Sequence, residues 1–285
     1  MEILINSNTI TLICPDSFDI RHILDCGQIF RYTITPAYAR VLSKNHCADV
    51  VKDGDKITIH CDDAQYFFNF FDLDKDYSEI KKAVCVNPLM QEAVNFGQGI
   101  RILRNDFFEM LISFIISSNN NIERIKKTLA YICRECGQNM GDYYAFPDLE
   151  ALAQMPECFF SKAGCGYRSG YLVDTLNALK DNFNDFYIDL ISSDTSTAQK
   201  KLISLKGVGP KVADCILLFG LHRYDVFPVD TWILKVYRQN FFGELNSPKE
   251  IRRYFIDLFG ELSGYAQQYL FYYKRSFERD LRKSF

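Results

Sequence analysis

The sequence predicts an α+β protein in which an antiparallel sheet comes first and a mostly helical part follows. Residues 1 to about 95 carry short stretches that alternate apolar and polar residues, which is the period of half-buried strands. From Asn105 onward the apolar residues recur every three or four positions, which is the period of an amphipathic helix. With 285 residues, of which 48% are hydrophobic, the chain has enough apolar material for one large domain or two modest ones.

Four stretches of the first part have the strand pattern, and turn residues separate them. The stretches are residues 2–5, 29–34, 40–42 and 56–61. Asp53, Gly54 and Asp55 precede the last stretch and are typical of a β-hairpin turn, so neighbouring strands are expected to pair antiparallel. One or two helices complete this predicted region.

The second part is expected to be helical throughout. The helical period covers residues 107–115, 122–136, 171–183, 211–221, 230–240, 248–259 and 264–282. We place the domain boundary near residue 98, which gives an N-terminal domain of residues 1–98 and a helical domain of residues 99–285. No linker rich in Gly, Ser or Pro separates the two, so we expect them to pack closely and the last helices to pack back onto the first domain.

The cysteines and the N-terminus indicate an intracellular protein with reduced thiols. Although it contains ten cysteines, the chain is far longer than the roughly 100 residues typical of disulfide-stapled secreted domains. Only Cys133 and Cys136 form a CxxC pair, and with no second pair or nearby histidine we expect no metal there. Glu2 lies where a signal peptide carries basic residues, and no apolar run approaches the roughly 20 residues of a membrane span.

The charge is divided unevenly along the chain. The formal net charge is −3, which taken alone argues against a nucleic-acid partner. Residues 199–285, however, hold 15 lysines and arginines against 9 acidic residues, so the basic charge is concentrated in the last third. This distribution fits a DNA-binding face on one side of the molecule, although a solvated basic helix would give the same count.

One motif near residue 207 indicates a phosphate-binding turn. Gly207 and Gly209 flank a single apolar residue, Val208, and permit a tight turn whose backbone N–H groups point to solvent. Pro210 then favours the first turn of a helix. Because exposed amides at a helix N-terminus bind phosphate, this turn is a candidate contact for a nucleic-acid backbone.

Three side chains in this part of the sequence are candidates for chemistry. Lys211 lies in the first turn of the predicted helix, where the helix dipole and burial are expected to lower its pKa and make the amine a nucleophile. Cys215 lies four residues on, on the same face, where its thiol can influence the amine. Asp230 lies at a predicted helix N-cap, where backbone N–H groups are expected to lower its pKa and keep the carboxylate ionised. A core cysteine and an ordinary cap would explain Cys215 and Asp230 equally well when each is taken alone.

These features in combination resemble a family signature. The Gly-x-Gly turn, the lysine two residues after it and the Pro-Val-Asp segment that ends 19 residues later are similar to the helix-hairpin-helix and Gly-Pro-Asp (HhH-GPD) signature of the DNA glycosylase superfamily. In that family the hairpin binds a phosphate, the lysine attacks C1′ of the damaged nucleotide and the aspartate assists. The resemblance therefore makes Lys211 and Asp230 the candidate catalytic residues. It also makes Gly207, Val208, Gly209 and Lys211 the phosphate-binding hairpin.

Five further segments resemble one branch of that superfamily, the 8-oxoguanine DNA glycosylase/lyases. They are CGQIFR at 26–31, GIRILR at 99–104, ISFIISSNNNI at 112–122, GYR at 166–168 and GYAQ at 264–267. They occur in order over nearly the whole chain, so the resemblance is specific. It implies an N-terminal domain with a TBP-like antiparallel sheet, a helical HhH-GPD domain, and DNA bound between them.

The resemblance implies a role for each residue of a lesion-base pocket. The carbonyl of Gly27 would accept the N7–H that 8-oxoguanine has and guanine lacks. Gln267 would read the Watson–Crick edge, while Phe271 and Cys215 would sandwich the flipped base. A place in the core would also explain Phe271, and an exposed polar face would also explain Gln267.

The resemblance also implies contacts to the DNA around the flipped nucleotide. Asn119 would fill the space that the nucleotide leaves, and Tyr167 would wedge the base stack. Arg124 and Arg168 would contact the orphaned base on the opposite strand. By their residue types alone, residues 119–121 are a loop and helix cap.

Two residues depart from the family pattern. Trp232 stands where the animal branch has a phosphate-contacting histidine, and Glu123 places a negative charge beside Arg124. The preference for the opposite base is therefore left open.

The resemblance implies no required cofactor. As in relatives, the backbone carbonyls of Ile203, Leu205 and Val208 can hold a structural monovalent or calcium ion at the hairpin. No cysteine follows Cys215, which excludes the C-terminal four-cysteine iron–sulfur cluster of the endonuclease III and adenine-glycosylase branches.

The sequence is therefore interpreted as that of a monomeric, bifunctional DNA glycosylase/AP lyase. It would flip 8-oxoguanine out of duplex DNA, excise it through a Schiff base on Lys211 and cut the strand by β-elimination. Its partner would be double-stranded DNA inside the cell, in a nucleoid or a nucleus, with no role for a membrane. Two alternatives stay open: an HhH glycosylase for another lesion such as alkylated purines, and a non-catalytic DNA-binding module.

Overall fold

The structure is a computed structural model that describes residues 2–241 and 243–283. The strands are β1 (Glu2–Asn6), β2 (Thr9–Ile13), β3 (Tyr32–Ile34), β4 (Ala39–Ser43), β5 (His46–Asp53) and β6 (Lys56–Cys61). The helices of the first hundred residues are α1 (Ile20–Asp25), α2 (Ala64–Phe70), α3 (Tyr77–Val84) and α4 (Pro88–Phe96). The later helices are α5 (Phe107–Ser117), α6 (Ile122–Cys136), α7 (Leu149–Ala153), α8 (Glu157–Lys162), α9 (Arg168–Leu179), α10 (Phe183–Ser192), α11 (Thr195–Ile203), α12 (Pro210–Gly220), α13 (Thr231–Asn240), α14 (Pro248–Phe259) and α15 (Ser263–Lys283).

The strands form one antiparallel sheet in the order β1-β2-β6-β5-β4-β3. The predicted hairpin is confirmed, because Asp53 of β5 pairs with Lys56 of β6 across Gly54, whose φ is +55°. Alternate residues of β6, Ile57 and Ile59, are buried beneath the sheet, as the period of two requires. An α+β fold with the sheet first is therefore confirmed.

The first hundred residues differ from the prediction in two respects. They contain four helices instead of one or two, and β2 and β5 were not predicted as strands. The strand predicted at 29–34 is shorter than expected and begins only at Tyr32. The buried side chain of Gln28 donates to the carbonyl of Arg101 at 2.8 Å and accepts from the N–H of Leu103 at 2.8 Å. This segment therefore ties the sheet to residues 99–105.

The helical part is built around α5, whose residues 107–116 are all buried. It packs against α6, α9 and α12, so the helix that carries Lys211 rests on the centre of the core. The predicted helix at 122–136 coincides with α6. The one predicted at 171–183 is wrong in its bounds, because α9 ends at Leu179 and α10 begins at Phe183. Leu190 is the one fully buried residue of α10, and Phe183 and Phe186 pack against the core while partly exposed, so this helix lies at the edge of the core.

The C-terminal helix α15 joins the two parts of the chain. It packs against α13 and α14 on one side and against α3 and α4 on the other. Residues of α3 and α4, including Tyr77 and Met90, accordingly belong to the hydrophobic core of the helical part. A separate core lies beneath the sheet. None of the helices in the described part of the chain is both long enough and apolar enough to cross a membrane.

Candidate active site

The turn between α11 and α12 forms a helix–hairpin–helix. Gly207 has a φ of +81°, and a Cβ atom on it would lie 2.9 Å from the Cβ atom of Tyr171, so conformation and space both require glycine. The hydroxyl of Thr175 donates to the carbonyl of Lys206 at 2.9 Å. Since Tyr171 and Thr175 both belong to α9, that helix packs against the hairpin turn.

The N-terminus of α12 is open to an anion. Gly209 is the N-cap residue, and no side chain in the described part of the chain caps the helix. A Cβ atom on Gly209 would meet no atom within 4 Å, and Pro210 occupies the first turn as predicted. Because the first N–H groups of a helix lack partners within it, this uncovered end can bind a phosphate.

Lys211 is held just behind that end. Its Nζ atom lies 5.6 Å from the ring centroid of Phe114 of α5. Burial disfavours the ammonium, but Cys215, which is hydrogen-bonded to it, and the negative charge of Asp230 together raise the pKa of Lys211 above its usual 10.5. The expected lowering of this pKa is therefore wrong. The prediction considered burial and the helix dipole but not these two neighbours.

Burial raises the pKa of Cys215 to about 11, against the opposing influence of Lys211. Cys215 is therefore a neutral thiol near pH 7. The side chain lies in the buried core of α12, next to the amine. Asp230 is then the negative charge that faces Lys211 under these conditions.

Asp230 is the N-cap of α13, as predicted. Its Oδ1 atom accepts the N–H groups of Trp232 at 3.0 Å and of Ile233 at 2.9 Å. Burial nevertheless raises the pKa of Asp230 above its usual 3.8, against these hydrogen bonds and the charges of Lys211 and Arg275. The expected lowering is wrong, because desolvation of the carboxylate outweighs the groups that stabilise it.

Lys211 and Asp230 lie in one site, since each affects the pKa of the other. An amine in this position can attack an electrophilic sugar carbon, while the carboxylate stabilises positive charge that develops on the sugar ring. The amine carries a proton at neutral pH and must lose it before it attacks.

Gly27 and Phe271 meet from opposite ends of the chain. Gly27 follows α1 and has a φ of +82°. A Cβ atom on Gly27 would lie 3.1 Å from the Cε1 atom of Phe271 on α15. Both the backbone conformation and the close ring therefore favour glycine here. Phe271 is only partly buried, so it lies at the edge of the core.

Gln267 connects this pocket with the segment that carries Asp230. It is 4% exposed, so its interpretation as part of an exposed polar face is wrong. Its Nε2 atom donates to the carbonyl of Pro228 at 3.3 Å. Its Oε1 atom is buried without a hydrogen-bond partner in the described part of the chain. An unsatisfied buried acceptor costs about 1–3 kcal/mol, a cost that a donating ligand would remove.

Two residues of the pocket were not predicted from the sequence. Gln268 donates from Nε2 to the carbonyl of Cys26 at 2.7 Å and so fixes the backbone beside Gly27. Arg275 lies with its guanidinium carbon 5.1 Å from the ring centroid of Phe271. Spacing could have revealed Arg275, because Gln267, Phe271 and Arg275 recur every four residues on one helix face. No local signal marks Gln268, whose partner is 242 positions away.

The predicted wedge residues lie together on the surface. Asn119 is exposed with a φ of +47°, and Tyr167 is 57% exposed. Arg168 is buried beneath them, with its guanidinium 4.3 Å from the ring centroid of Tyr167. It donates to the carbonyls of Ser118 and Asn119, the latter at 2.8 Å. Arg168 thus fixes the backbone of residues 118 and 119, and its contact with the orphaned base stays a prediction.

Arg124, the other residue predicted to face the orphaned base, is exposed near the start of α6. Its Nη2 atom donates to the carbonyl of Gly164 at 3.2 Å. Asn121 caps α6 by accepting the N–H of Arg124 at 2.9 Å, which confirms the helix cap expected at residues 119–121. Arg124 is therefore fixed to the turn at Gly164, which precedes Tyr167 in the chain.

The carbonyls predicted to hold a cation belong to the hairpin turn. Ile203 is the last residue of α11, and the carbonyl of Leu205 accepts the N–H of Val208 at 3.2 Å. Carbonyl oxygens are ligands that hard cations prefer, so the chemistry of the turn fits such an ion. Within the described residues, no group of three or more His, Cys, Asp and Glu side chains could hold a metal.

Two family models match the chain in succession. Residues 11–111 match the N-terminal domain of 8-oxoguanine DNA glycosylases, and residues 112–261 match the HhH-GPD superfamily of base excision DNA repair proteins. Between them the two matches include Gly27, Lys211 and Asp230.

Individual proteins agree with the family models. The N-glycosylase/DNA lyase OGG1 of Arabidopsis thaliana is 32% identical, over 91% of this chain and 78% of its own length. The 8-oxoguanine glycosylase/lyase of Clostridium acetobutylicum, solved with double-stranded DNA containing cytosine opposite 8-oxoG, superposes with a TM-score of 0.90. It is 36% identical, and the match covers 98% of this chain and 99% of that one.

A protein named for another lesion shares the fold alone. The 3-methyladenine DNA glycosylase of Archaeoglobus fulgidus superposes with a TM-score of 0.74 over 94% of this chain and 99% of its own, but it is 18% identical. The family matches, the full-length similarity to 8-oxoguanine glycosylase/lyases and the Lys211–Asp230 site agree. The chain therefore belongs to the HhH-GPD superfamily of base excision DNA repair proteins and, within it, to the 8-oxoguanine DNA glycosylases.

Proposed function

We propose that this chain removes 8-oxoguanine from duplex DNA and then cuts the strand at the resulting abasic site. The observation that carries the proposal is the arrangement of the site: Lys211 lies in the first turn of α12, whose N-terminus no side chain of the described residues caps, and it faces Asp230, the N-cap of α13. A backbone phosphate bound at that N-terminus brings the neighbouring sugar to the amine. The relatives named as 8-oxoguanine glycosylase/lyases support the choice of lesion.

The reaction uses Lys211 twice. The neutral amine attacks C1′, so that a bond from Nζ to C1′ forms as the bond from C1′ to N9 breaks and the base leaves with a proton. Asp230 stabilises the positive charge that develops on the sugar in this step. The hemiaminal then opens: the C1′–O4′ bond breaks, O4′ takes a proton, and a Schiff base remains between Nζ and C1′. Loss of a C2′ proton expels the 3′ phosphate, and water hydrolyses the Schiff base to free the lysine.

The base pocket would select the lesion. The Gly27 carbonyl accepts N7–H of 8-oxoguanine, and the buried Oε1 atom of Gln267 accepts a donor of the Watson–Crick edge. Phe271 and the neutral thiol of Cys215 lie against the two faces of the flipped base. A base without these donors would leave buried acceptors unsatisfied, which disfavours its entry.

The remaining surface would hold the duplex. Asn119 and Tyr167 fill the space left by the flipped nucleotide, while Arg124 and Arg168 contact the orphaned base. We also propose that the protein acts as a monomer on DNA in the cell and without a membrane. The carbonyls of residues 203, 205 and 208 would hold a structural monovalent or calcium ion that bridges to phosphate, and no other cofactor is required.

Borohydride trapping tests the mechanism. The wild-type protein, mixed with a duplex that contains 8-oxoguanine, should form a covalent protein–DNA adduct on addition of sodium borohydride, because the reagent reduces the Schiff base. Lys211→Gln should give no adduct and no free 8-oxoguanine. Lys200→Gln, which changes an exposed lysine of α11, should behave as the wild type.

A second substrate tests the lesion. Duplexes with 3-methyladenine should release base far more slowly than duplexes with 8-oxoguanine. Equal or faster release of 3-methyladenine would favour the alkylated-purine alternative, and an adduct with Lys211→Gln would overturn the lysine mechanism. Equal binding of damaged and undamaged duplexes without any cleavage would indicate a non-catalytic module.

A further inference from the structure

Arg275 occupies a position that the mechanism above does not use. It is 8% exposed and lies on the face of α15 that also carries Gln267 and Phe271. Its Nη1 atom would be 3.3 Å from a Cβ atom placed on Gly27, and its guanidinium carbon is 5.1 Å from the ring centroid of Phe271. A buried arginine thus lies beside both Gly27 and Phe271, which are proposed to contact the lesion base.

The position of Arg275 suits the atoms that distinguish 8-oxoguanine from guanine. Oxidation of guanine changes two neighbouring atoms of its imidazole edge: N7 gains a hydrogen, and C8 gains a carbonyl oxygen, O8. If the Gly27 carbonyl accepts N7–H, then O8 also lies beside Gly27, because N7 and O8 are both bonded to C8. An N–H donor next to Gly27 can therefore reach O8.

We propose that Arg275 is a specificity-determining residue that donates a hydrogen bond from its guanidinium to O8 of 8-oxoguanine. The inference rests on the proposed function, since it assigns a further contact to the same pocket. Gly27 and Arg275 then form an acceptor and a donor side by side, which match the donor and the acceptor that oxidation creates. Guanine has a hydrogen on C8 in place of O8, so it gives the Arg275 guanidinium no acceptor at this position.

The surroundings of Arg275 suit a fixed charge that serves recognition. The Phe271 ring lies against the guanidinium and stabilises it by a cation–π contact. The positive charge of Arg275 opposes the rise in pKa that burial causes at four nearby groups: Asp230, Cys26, Tyr32 and Tyr272. Arginine keeps its proton throughout the pH range in which Lys211 must change its charge, so the pocket stays positive while the nucleophile becomes neutral.

Binding measurements on Arg275→Met test the proposal. We suggest duplexes that contain 2′-fluoro-8-oxodeoxyguanosine or 2′-fluorodeoxyguanosine opposite cytosine, because the fluorine prevents cleavage. Selectivity is the dissociation constant of the guanine duplex divided by that of the 8-oxoguanine duplex. This ratio should fall about tenfold or more in Arg275→Met, as expected for loss of one charge-assisted hydrogen bond. Arg275→Lys, which keeps a charge and a donor, should restore part of the ratio.

Two controls separate recognition from support of the fold. Cleavage of a duplex with a preformed abasic site needs no base in the pocket, so Arg275→Met should reduce it far less than it reduces excision of 8-oxoguanine. Arg253→Met removes an arginine of α14 whose side chain is 84% exposed and should alter neither measurement.

Each further outcome decides between the hypotheses. An unchanged ratio in Arg275→Met overturns the proposal, and so does a loss of abasic-site cleavage as large as the loss of excision, because that would indicate a structural role. If the wild-type protein itself binds the two duplexes equally, the proposed function fails before Arg275 is considered.

Discussion

The catalytic pair and the base pocket are built in different ways. Lys211 and Asp230 lie 19 residues apart, and each is placed by its own local structure: a glycine turn with an open helix end for the lysine, and an N-cap for the aspartate. Gly27 and Phe271 lie 244 residues apart and meet only because α15 packs beside the segment after α1. Chemistry therefore depends on local geometry, and selection of the base depends on packing between the ends of the chain.

This difference predicts that the two functions can be damaged separately. A change at the catalytic pair should impair reactions at any abasic sugar, whether or not a base is present. A change in the pocket should impair excision of the base while sparing cleavage of a preformed abasic site. The link between the regions is Gln267, whose amide bonds to Pro228 two residues before Asp230.

Asp230→Asn should have the largest effect among substitutions that keep Lys211. It removes the charge that stabilises the sugar cation but keeps an N-cap, because asparagine and aspartate cap helices about equally well. We expect a loss of about 10²–10³-fold in the single-turnover rate of excision, the range for removal of one preorganised electrostatic group. The free energy of unfolding should change by less than about 1 kcal/mol.

Asp230→Ala serves as the matched control for the cap. It removes the charge and the hydrogen bonds to Trp232 and Ile233, so it should lose the same activity and about 1 kcal/mol of stability in addition. A loss of activity that follows stability across both variants would show that Asp230 acts as a cap alone.

The same division explains what could be predicted from the sequence. The hairpin at residue 54, the helix at 122–136 and the N-cap at Asp230 were predicted because short-range periods and turn residues determine them. The pKa directions of Lys211 and Asp230 were wrong, because they depend on burial and on neighbours brought in by the fold. The pocket residues Gly27 and Gln267 were named by resemblance alone.

The residues that were missed make the same point. Gln268 is distinguishable from Gln267 only by its partner, the carbonyl of Cys26 at the other end of the chain. Arg168 was named for a contact with the orphaned base, and its bonds to the carbonyls of Ser118 and Asn119 were not predicted. Side-chain types and spacing do not specify such long-range choices, since arginine can bind a base or a carbonyl equally well.

The dependence on pH should separate the regions without any substitution. Because the pKa of Lys211 is raised above 10.5, only a small fraction of the amine is neutral near pH 7, and that fraction grows about tenfold per pH unit. The single-turnover rate should therefore rise without a plateau between pH 6.5 and 9. Binding of the 2′-fluoro-8-oxodeoxyguanosine duplex should change little, since Gly27, Gln267 and Phe271 do not titrate. A plateau below pH 9 would instead support the lowered pKa that the sequence suggested.

Gln268→Ala should have the smallest effect on activity and a clear effect on stability. The buried amide donates to the Cys26 carbonyl at 2.7 Å, and its removal leaves that carbonyl without this donor and α15 less firmly attached beside Gly27. We expect the free energy of unfolding in urea to fall by about 1–3 kcal/mol. Excision of 8-oxoguanine should slow severalfold, whereas cleavage at a preformed abasic site should be preserved.

Gln91→Ala, at an exposed position of α4, is the control for loss of a glutamine. Equal losses of excision and abasic-site cleavage in Gln268→Ala would mean that the catalytic pair also depends on the contact between the chain ends, and the separation of the two regions would then be wrong.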